Sequence, residues 1–257
     1  MIRIFKNKII IILTIFLILI PVLIFSFFHF FPKRNIYIWA WERPEDFSFL
    51  AHSRDNLTII YYAGGIVIRD GKLKITERLN HLVIPANLKN MPIIRIDNFD
   101  GPESLTDEKL AQITNFIINI CSNKDIVGCQ VDFDVTSSLR EKYKILLASV
   151  KNKIPSTTSL SITALVSWCD KFSWLNKTNI DFAVPMFYRL GDDREKIDHD
   201  YIGETFMKSP KCKNAIGVSL DEPLQNKKYI SGRDIYFFNP NSWSEQSYST
   251  IINMYGR

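Results

Sequence analysis

Short apolar runs alternate with amphipathic stretches from residue 35 to the C terminus. Runs rich in β-branched and aromatic residues predict strands, whereas apolar residues recurring every three or four positions predict helices. The predicted strands cover residues 36–41, 57–65, 92–99, 126–135, 159–166, 180–188, 214–221 and 234–239. The predicted helices cover residues 106–123, 138–153, a short segment near 169–176, and 244–254. This alternation of strands and helices predicts a parallel sheet.

The number of predicted strands selects the fold class. About eight strand-helix units over roughly 220 residues predict an α/β fold, a (β/α)₈ barrel of the TIM type. An open doubly wound sheet is the alternative, but Gly64-Gly65 alone does not make a phosphate-binding glycine motif. Within 67–75, Asp70-Gly71 is typical of a hairpin turn. No repeat or low-complexity linker divides residues 35–257, so we expect one domain there.

The N-terminal segment has a different pattern, because residues 9–31 are almost entirely apolar and carry no formal charge. At about 1.5 Å per residue, a helix of this length reaches roughly 34 Å and crosses a hydrocarbon core of about 30 Å. Arg3, Lys6 and Lys8 precede the run, which predicts a cytoplasmic N terminus. We therefore expect residues 1–34 to form a membrane anchor with one transmembrane helix, and residues 35–257 to be periplasmic or extracellular. A cleaved signal peptide is the alternative, although residues 26–34 contain no small-residue cleavage motif.

Charge and cysteine content narrow the class of protein further. The formal net charge of +5 resides in the first 34 residues, which hold five basic residues and no acid, so the rest of the chain is neutral. A neutral domain has no overall field to attract a nucleic acid. The four cysteines form no C-x-x-C pair, which argues against a zinc or thioredoxin-type site. The favoured interpretation is small buried apolar residues, and one disulfide in an oxidising compartment is the alternative.

The strand predicted over 126–135 carries the candidate chemistry. Gln130, Asp132 and Asp134 share one face of it, with Gly128 below them, and apolar residues occupy the other face. In a barrel the polar face would point inwards near the C-terminal mouth, where this fold keeps its active sites. Carboxylates roughly 6.6 Å apart along a strand should have separated pKa values, as acid/base chemistry requires. Asp132 and Asp134 are therefore the predicted catalytic pair.

Polar and aromatic side chains on other strands would surround this pair. Aromatic rings beside carboxylates and amides suit sugars, because the C–H faces of a sugar stack on rings while its hydroxyls bind polar groups. The predicted substrate-binding residues are Gln130, Trp39, Trp41, Arg95, Asp97, Thr163, Trp168, Tyr188, Arg189, Asp221 and Trp243. Two alternatives stay open: the charged residues form a structural ion-pair network, and the tryptophans are only core or interface anchors.

Longer stretches of the chain resemble a known family. The segments VGCQVDFDVTSSLREKYKILLASVKNKIP, LSITALVSWC and VPMFYRLG, together with the opening WAWERPEDFSFL, resemble the bacterial domain-of-unknown-function family 3142. The resemblance covers nearly all of residues 36–243 in order. It implies a barrel related to glycoside hydrolases and no established activity.

A more distant resemblance is to the family 18 glycoside hydrolases, whose fourth strand carries D-G-x-D-x-D-x-E. Aligning the glycine with Gly128 places Asp132 at the third acid and Asp134 at the terminal glutamate, while Val127 and Gln130 stand at the first two acids. This resemblance implies that Asp134 protonates the leaving oxygen beside Asp132. The Met-x-Tyr motif and the last-strand aromatic of that family fall on Met186, Tyr188 and Trp243.

The sequence thus predicts a membrane-anchored, glycoside-hydrolase-like barrel that acts on or binds a glycan, with acid/base chemistry by the paired aspartates. The alternative is a catalytically inactive saccharide- or protein-binding barrel of the cell envelope. The expected partners are the membrane and a glycan, and no metal or organic cofactor is expected.

Overall fold

The structure is a computed structural model that describes residues 35–191, 206–224 and 227–255. The strands are β1 Ile36–Ala40, β2 Glu45–Asp46, β3 Leu57–Arg69, β4 Lys72–Glu77, β5 Leu82–Val83, β6 Lys89–Asn98, β7 Gly128–Asp132, β8 Ser159–Leu165, β9 Phe182–Met186, β10 Ala215–Ser219 and β11 Asp234–Phe238. The α-helices of the described residues are α1 Asp107–Cys121, α2 Arg140–Lys151 and α3 Glu245–Tyr255.

Eight parallel strands close into a barrel in the order β1, β3, β6, β7, β8, β9, β10 and β11, and β11 pairs back with β1. This closure confirms the predicted TIM-like barrel and excludes the open sheet, which would have two unpaired edges. Strand β4 is antiparallel to β3 outside the ring, and β2 pairs with β5 in a separate two-stranded sheet.

Alternation along the strands separates two apolar layers. One face of the strands packs outwards against the helices, through residues such as Ile59, Ile94 and Val131. The other face fills the inside of the barrel, through residues such as Trp39 and Ile93. A barrel of eight strands is just wide enough for side chains to fill its interior, so the lower part is packed.

Helix α1 illustrates why the covering helices form where the sequence predicts them. The Thr106 hydroxyl accepts a hydrogen bond from the backbone N–H of Lys109 at 3.3 Å, which caps the first turn. Asp107 and Glu108 place negative charge at the same end, where the helix dipole favours it. The apolar face packs against the barrel through Leu110, Ile113, Ile117 and Cys121.

Strand β3 is longer than predicted and builds a wall beside the barrel mouth. It runs without interruption to Arg69, and the chain then reverses at Asp70-Gly71, where both residues have positive φ, 51° and 71°. Such a turn matches the twist of a two-residue hairpin, and the Asp100 carboxylate accepts both turn N–H groups at 3.0 Å and 2.9 Å. The predicted turn is therefore confirmed. The hairpin of β3 and β4 extends beyond Ala40, where β1 ends.

Two local predictions were wrong. The segment predicted as a helix near 169–176 instead contains two 3₁₀ turns, Val166–Cys169 and Trp174–Lys177. The Ser173 side chain interrupts the helix, because its hydroxyl bonds Trp168 O and accepts from Leu175 N. Strand β7 is also shorter than the predicted 126–135, so Asp134 follows the strand and Val127 is exposed.

The four cysteines form two disulfides, so their interpretation as isolated buried residues was wrong. Cys121 at the end of α1 pairs with Cys129 in β7, and Cys169 pairs with Cys212, with Cα atoms 5.6 Å and 5.8 Å apart. Both distances lie in the usual range for a disulfide. The pairing depends on the packing of distant segments, which spacing in the sequence does not reveal.

Among the described residues, no helix combines the length and the apolar character needed to cross a membrane. The predicted transmembrane segment, residues 9–31, lies outside the described residues.

Candidate active site

A cavity of about 750 Å³ opens at the C-terminal ends of the barrel strands. This is the end at which barrels of this type hold their active sites. Carboxylates and Arg95 from the ends of β6 and β7 line one part of the cavity, and aromatic rings from the ends of β1, β9 and β11 line another. The hairpin of β3 and β4 contributes Gly65, Val67 and Thr76.

Arg95 on β6 contacts three carboxylates at once. Its Nε donates to Asp97 Oδ1 at 2.9 Å, and its Nη1 donates to Asp132 Oδ2 at 2.8 Å and to Asp134 Oδ2 at 3.1 Å. The register explains this arrangement, because Arg95 and Asp132 are directly paired on β6 and β7, while Asp97 lies two residues further along β6. Burial lowers the pKa of Arg95, but the three carboxylates outweigh it and raise the pKa overall, so the guanidinium stays charged.

The two predicted catalytic aspartates occupy different environments. The side chain of Asp132 is only 6% exposed, and its second oxygen accepts a hydrogen bond from the Thr163 hydroxyl at 2.5 Å. Burial raises the pKa of Asp132, with Arg95 opposing and Asp134 adding to that rise. The side chain of Asp134 is 43% exposed and faces the open part of the cavity. Asp134 is therefore the member of the pair that a ligand can reach.

The spacing of the pair limits its chemistry. Asp132 Oδ2 and Asp134 Oδ2 contact the same nitrogen at 2.8 Å and 3.1 Å, so these oxygens lie no further apart than the sum of the two distances. That sum is below the gap of about 6.5–9.5 Å that leaves room for a water between the carboxyl groups of inverting glycosidases. No attacking water fits between these two oxygens.

The opposite part of the cavity is aromatic. The rings of Tyr188 and Phe238 are stacked with centroids 5.4 Å apart, and Trp39 meets Tyr188 edge-on at 6.5 Å. Trp41 and Tyr62 pack against each other at 5.7 Å beside the hairpin. Burial, followed by the charges of Asp132 and Asp134, raises the pKa of Tyr188, so its hydroxyl keeps its proton and can donate a hydrogen bond.

Arg189, next to Tyr188, is held in an uncommon backbone conformation with φ of 53°. Its N–H donates to Glu222 Oε2 at 2.9 Å, and its guanidinium lies 3.8 Å from Asp221 Oδ2. Non-glycine residues with positive φ persist where surrounding contacts hold them, and such residues cluster at ligand-binding sites. The side chain of Arg189 is 59% exposed and lines the cavity.

The structure brings most of the predicted site residues together. The following ten line the cavity: Trp39, Trp41, Arg95, Asp97, Asp132, Asp134, Thr163, Met186, Tyr188 and Arg189. Their convergence follows from side-chain alternation, because inward positions near the C-terminal ends of parallel strands meet at one mouth.

Two further predicted residues support the site from below or beside it. Gln130 is fully buried beneath the cavity, where its amide accepts from Trp39 Nε1 at 2.8 Å and donates to Ser161 Oγ at 3.2 Å. Asp221 is bonded to the Ser219 hydroxyl and borders a second, shallower groove of about 340 Å³. Neither of them lines the main cavity, and Gln130 instead fixes the orientation of Trp39.

Two predicted stacking residues lie elsewhere. Trp168 follows β8 in a 3₁₀ turn that carries it into the outer apolar layer, where its ring packs on Trp174 at 5.3 Å. Trp243 is also buried in the outer layer, with its indole N–H donating to Trp39 O at 2.8 Å. Both residues lie past a strand end, where the period-two rule for inward positions no longer applies.

Sequence reasoning missed three ring or carboxylate residues of the cavity: Glu42, Tyr62 and Phe238. Tyr62 lies on β3, where Ile60 and Tyr62 are alternate positions facing the barrel interior. Glu42 lies just after β1, and such positions commonly hold active-site residues in this fold. Alternation and strand-end position would have identified them once the strand ends were known.

No group of three or more histidine, cysteine, aspartate or glutamate side chains suited to a metal ion occurs in the part of the chain that the structure describes.

No family model and no curated protein sequence matches this chain, so its resemblance to family 3142 stays a prediction. Among solved structures, the chain is similar to the spore cortex-lytic enzyme SleL of Bacillus cereus, with 20% identity and a TM-score of 0.45. The match covers 73% of this chain and 50% of the SleL chain, so this chain spans about half the length of that enzyme.

Proposed function

We propose that this barrel binds a glycan in the cavity and hydrolyses it, as a glycoside-hydrolase-like domain. The observation that carries the proposal is the exposed Asp134 beside the buried Asp132, in an open cavity whose other part is aromatic. Carboxylates that differ in burial differ in proton affinity, which is the basis of acid/base catalysis on sugars.

The mixed lining supports a glycan over other ligand classes. Stacked rings such as Tyr188 and Phe238 offer flat apolar surface to the C–H faces of a sugar, and the carboxylates of Asp97 and Asp134 accept hydrogen bonds from its hydroxyls. The volume of about 750 Å³ falls in the range of small-molecule sites.

In the catalytic version, Asp134 protonates the glycosidic oxygen that leaves, while Asp132 acts as its electrostatic partner. Tyr188 and Arg189 position the sugar through hydrogen bonds, and Trp39 and Trp41 provide apolar surface.

The test is hydrolysis by the full-length protein in detergent. Its substrates would be peptidoglycan fragments, chitooligosaccharides, and soluble α-1,4-, β-1,3- and β-1,4-glucans, with new reducing ends measured. We expect D134N to lower turnover of the best substrate by about 10²-fold or more, because a general acid contributes typically 10²–10⁴-fold. The matched control is D125N, an exposed aspartate outside the cavity, which should keep full activity. Unchanged hydrolysis by D134N would contradict the assignment.

A second function, a catalytically inactive saccharide-binding barrel of the cell envelope, is favoured by one specific observation. Arg95 pairs with Asp97, Asp132 and Asp134 together, so one cation already occupies an oxygen of each carboxylate in the free protein. Such a barrel would retain one of the same glycans on an affinity column while releasing no reducing ends. The D134N variant would then differ from the unmodified protein in its retention on the column, and neither protein would hydrolyse the glycan.

We further propose that residues 9–31 anchor the protein in a membrane and that the barrel lies outside the cytoplasm. The apolar run and the preceding basic residues support the anchor. The two buried disulfides support the compartment, because disulfides persist in oxidising environments. Alkaline extraction of membranes, together with protease accessibility in cells with permeabilised outer layers, tests both points. Release of the protein by alkali would contradict the membrane anchor. Protection of the barrel from protease would contradict its location outside the cytoplasm.

A further inference from the structure

The proposed hydrolysis has a general acid, Asp134, but no group that activates the attacking water. Asp132 and Asp134 share one nitrogen of Arg95 and lie on the same part of the cavity, so neither can activate a water on the far face of a sugar that Asp134 protonates. A hydrolase that attacks with water directly needs a second carboxylate across the cavity, about 6.5–9.5 Å from the acid.

Glu42 has the position and the freedom that this role needs. It lies two residues after the end of β1, lines the cavity and is exposed. Its carboxylate makes no hydrogen bond or ion pair with any residue in 35–191, 206–224 or 227–255. In this it differs from Asp97, Asp132 and Asp134, which are all bound to Arg95.

The backbone on both sides of Glu42 is fixed even though its carboxylate is free. The Arg78 guanidinium donates to Trp41 O at 2.7 Å and also to Arg43 O. The Arg43 side chain in turn donates to Asn239 O at 2.7 Å, which joins the segment to the end of β11. A rigid backbone beneath an unpaired carboxylate is the arrangement expected of a preorganised catalytic group.

The barrel order places Glu42 across the mouth from Asp134. Strands β1 and β7 are three steps apart in the ring of eight, through β3 and β6. Neighbouring strands lie about 4.8 Å apart and tilt by about 36° in such a barrel, so three steps separate two backbones by roughly 14 Å. Both side chains line the same cavity, so the gap between the two carboxyl groups is shorter than the distance between the two backbones. A gap of this order suits a sugar with an attacking water behind it.

The environment of Tyr62 supports this placement. Burial raises the pKa of Tyr62, and the charge of Glu42 is the next largest cause of that rise. The Glu42 carboxylate therefore acts on a ring that itself lines the cavity. The same charge also acts on the Arg78 guanidinium, whose pKa it raises against the lowering effect of burial.

The geometry points to Glu42 as the general base of a single-displacement hydrolysis, an inference that rests on the proposed function. Glu42 takes a proton from water while the water oxygen forms a bond to the anomeric carbon. The bond between that carbon and the glycosidic oxygen breaks, its electron pair goes to the glycosidic oxygen, and this oxygen takes the proton of Asp134. Attack and departure occur on opposite faces, so the anomeric configuration inverts.

The experiment compares E42Q, D134N and a control, E77Q, in the full-length protein. Glu77 is an exposed glutamate at the end of β4 that does not line the cavity. Two probes are used: the best oligosaccharide of the panel, and the matching 2,4-dinitrophenyl glycoside, whose leaving group needs no protonation. We expect E42Q to lower kcat about 10²–10⁴-fold on both probes with little change in KM, since a base is needed for each. D134N should lose turnover on the oligosaccharide far more than on the dinitrophenyl glycoside, and E77Q should match the unmodified protein.

A third readout is the anomer first formed, observed by proton NMR, which should be the inverted one. Retention of configuration, or normal turnover by E42Q while D134N is impaired, would overturn the role of Glu42 and leave the proposed hydrolysis standing. Absence of turnover by the unmodified protein on every probe would overturn both. Comparable thermal unfolding of the three variants shows that the losses are not failures of folding.

Discussion

The interior of the barrel has two unlike halves. The polar half consists of the polar inward residues of β6, β7 and β8, namely Arg95, Asp97, Gln130, Asp132, Ser161 and Thr163. The aromatic half consists of inward residues on or next to β9, β11 and β1, namely Phe182, Tyr188, Tyr236, Phe238, Tyr37 and Trp39. The halves meet where Trp39 Nε1 donates to Gln130 Oε1.

The difference shows how one packed barrel holds both charge and flat apolar surface. Polar groups on three adjacent strands satisfy each other, as Thr163 and Arg95 do for Asp132, so the cost of burying them stays low. The ring faces on the other strands need no such partners and stack on one another, as Tyr188 does on Phe238 at 5.4 Å. We therefore expect substitutions in the polar half to cost more stability for each atom removed.

The largest effect is expected for R95M. Removing the guanidinium leaves Asp132 buried without its cation, and breaking a buried ion pair costs about 3–5 kcal/mol. The measurement is the free energy of unfolding in urea. The double variant R95M/D132N should recover part of the loss, because no buried charge is then left unpaired. Equal stability of R95M and the unmodified protein would contradict the expectation that substitutions in the polar half cost more stability than those in the aromatic half.

The same variant has a defined pH dependence. The pKa of Asp132 is higher in the folded than in the unfolded protein, because burial disfavours the charged carboxylate. Proton binding by Asp132 therefore stabilises the folded state at low pH, and this stabilisation is lost as the pH rises through the folded pKa. Without Arg95 this pKa rises further. The deficit of R95M should therefore be largest at neutral pH and shrink as pH falls towards the ordinary carboxyl range. A deficit that grows on acidification would contradict this interpretation.

A smaller effect is expected for W39F at the boundary of the halves. The substitution leaves the buried Gln130 Oε1 without its donor and removes part of a ring, so we expect a loss of about 2 kcal/mol. A double-mutant cycle with Q130L measures the coupling, which should be about 1 kcal/mol. Strictly additive losses would show that the two halves are energetically independent.

The smallest effect is expected for Y188F in the aromatic half. The Tyr188 hydroxyl makes no hydrogen bond with any described residue, and the ring keeps its stacking on Phe238. We expect a change below about 0.5 kcal/mol in the free energy of unfolding. Retention on the glycan column should fall, because the hydroxyl faces the cavity. A stability loss comparable to that of R95M would remove the distinction between the halves.

The sequence alone determined the barrel and the inward positions. Alternation along each strand fixes which residues face inwards, and it predicts inward positions for Asp132, Thr163 and Tyr188, all three of which line the cavity. The hairpin turn at Asp70-Gly71 was equally local, because glycine and aspartate tolerate positive φ.

Only the tertiary structure decided the rest. The register of β6 against β7 pairs Arg95 with Asp132, and the packing of α1 on β7 pairs Cys121 with Cys129. The order of the strands in the closed ring brings Glu42 and Asp134 to the same cavity. Side chains past strand ends, such as Trp168 and Trp243, followed the local turns rather than the period of the strand. The physical reason is that strand periodicity is a property of a few neighbouring residues, whereas register and closure depend on contacts between segments far apart in the chain.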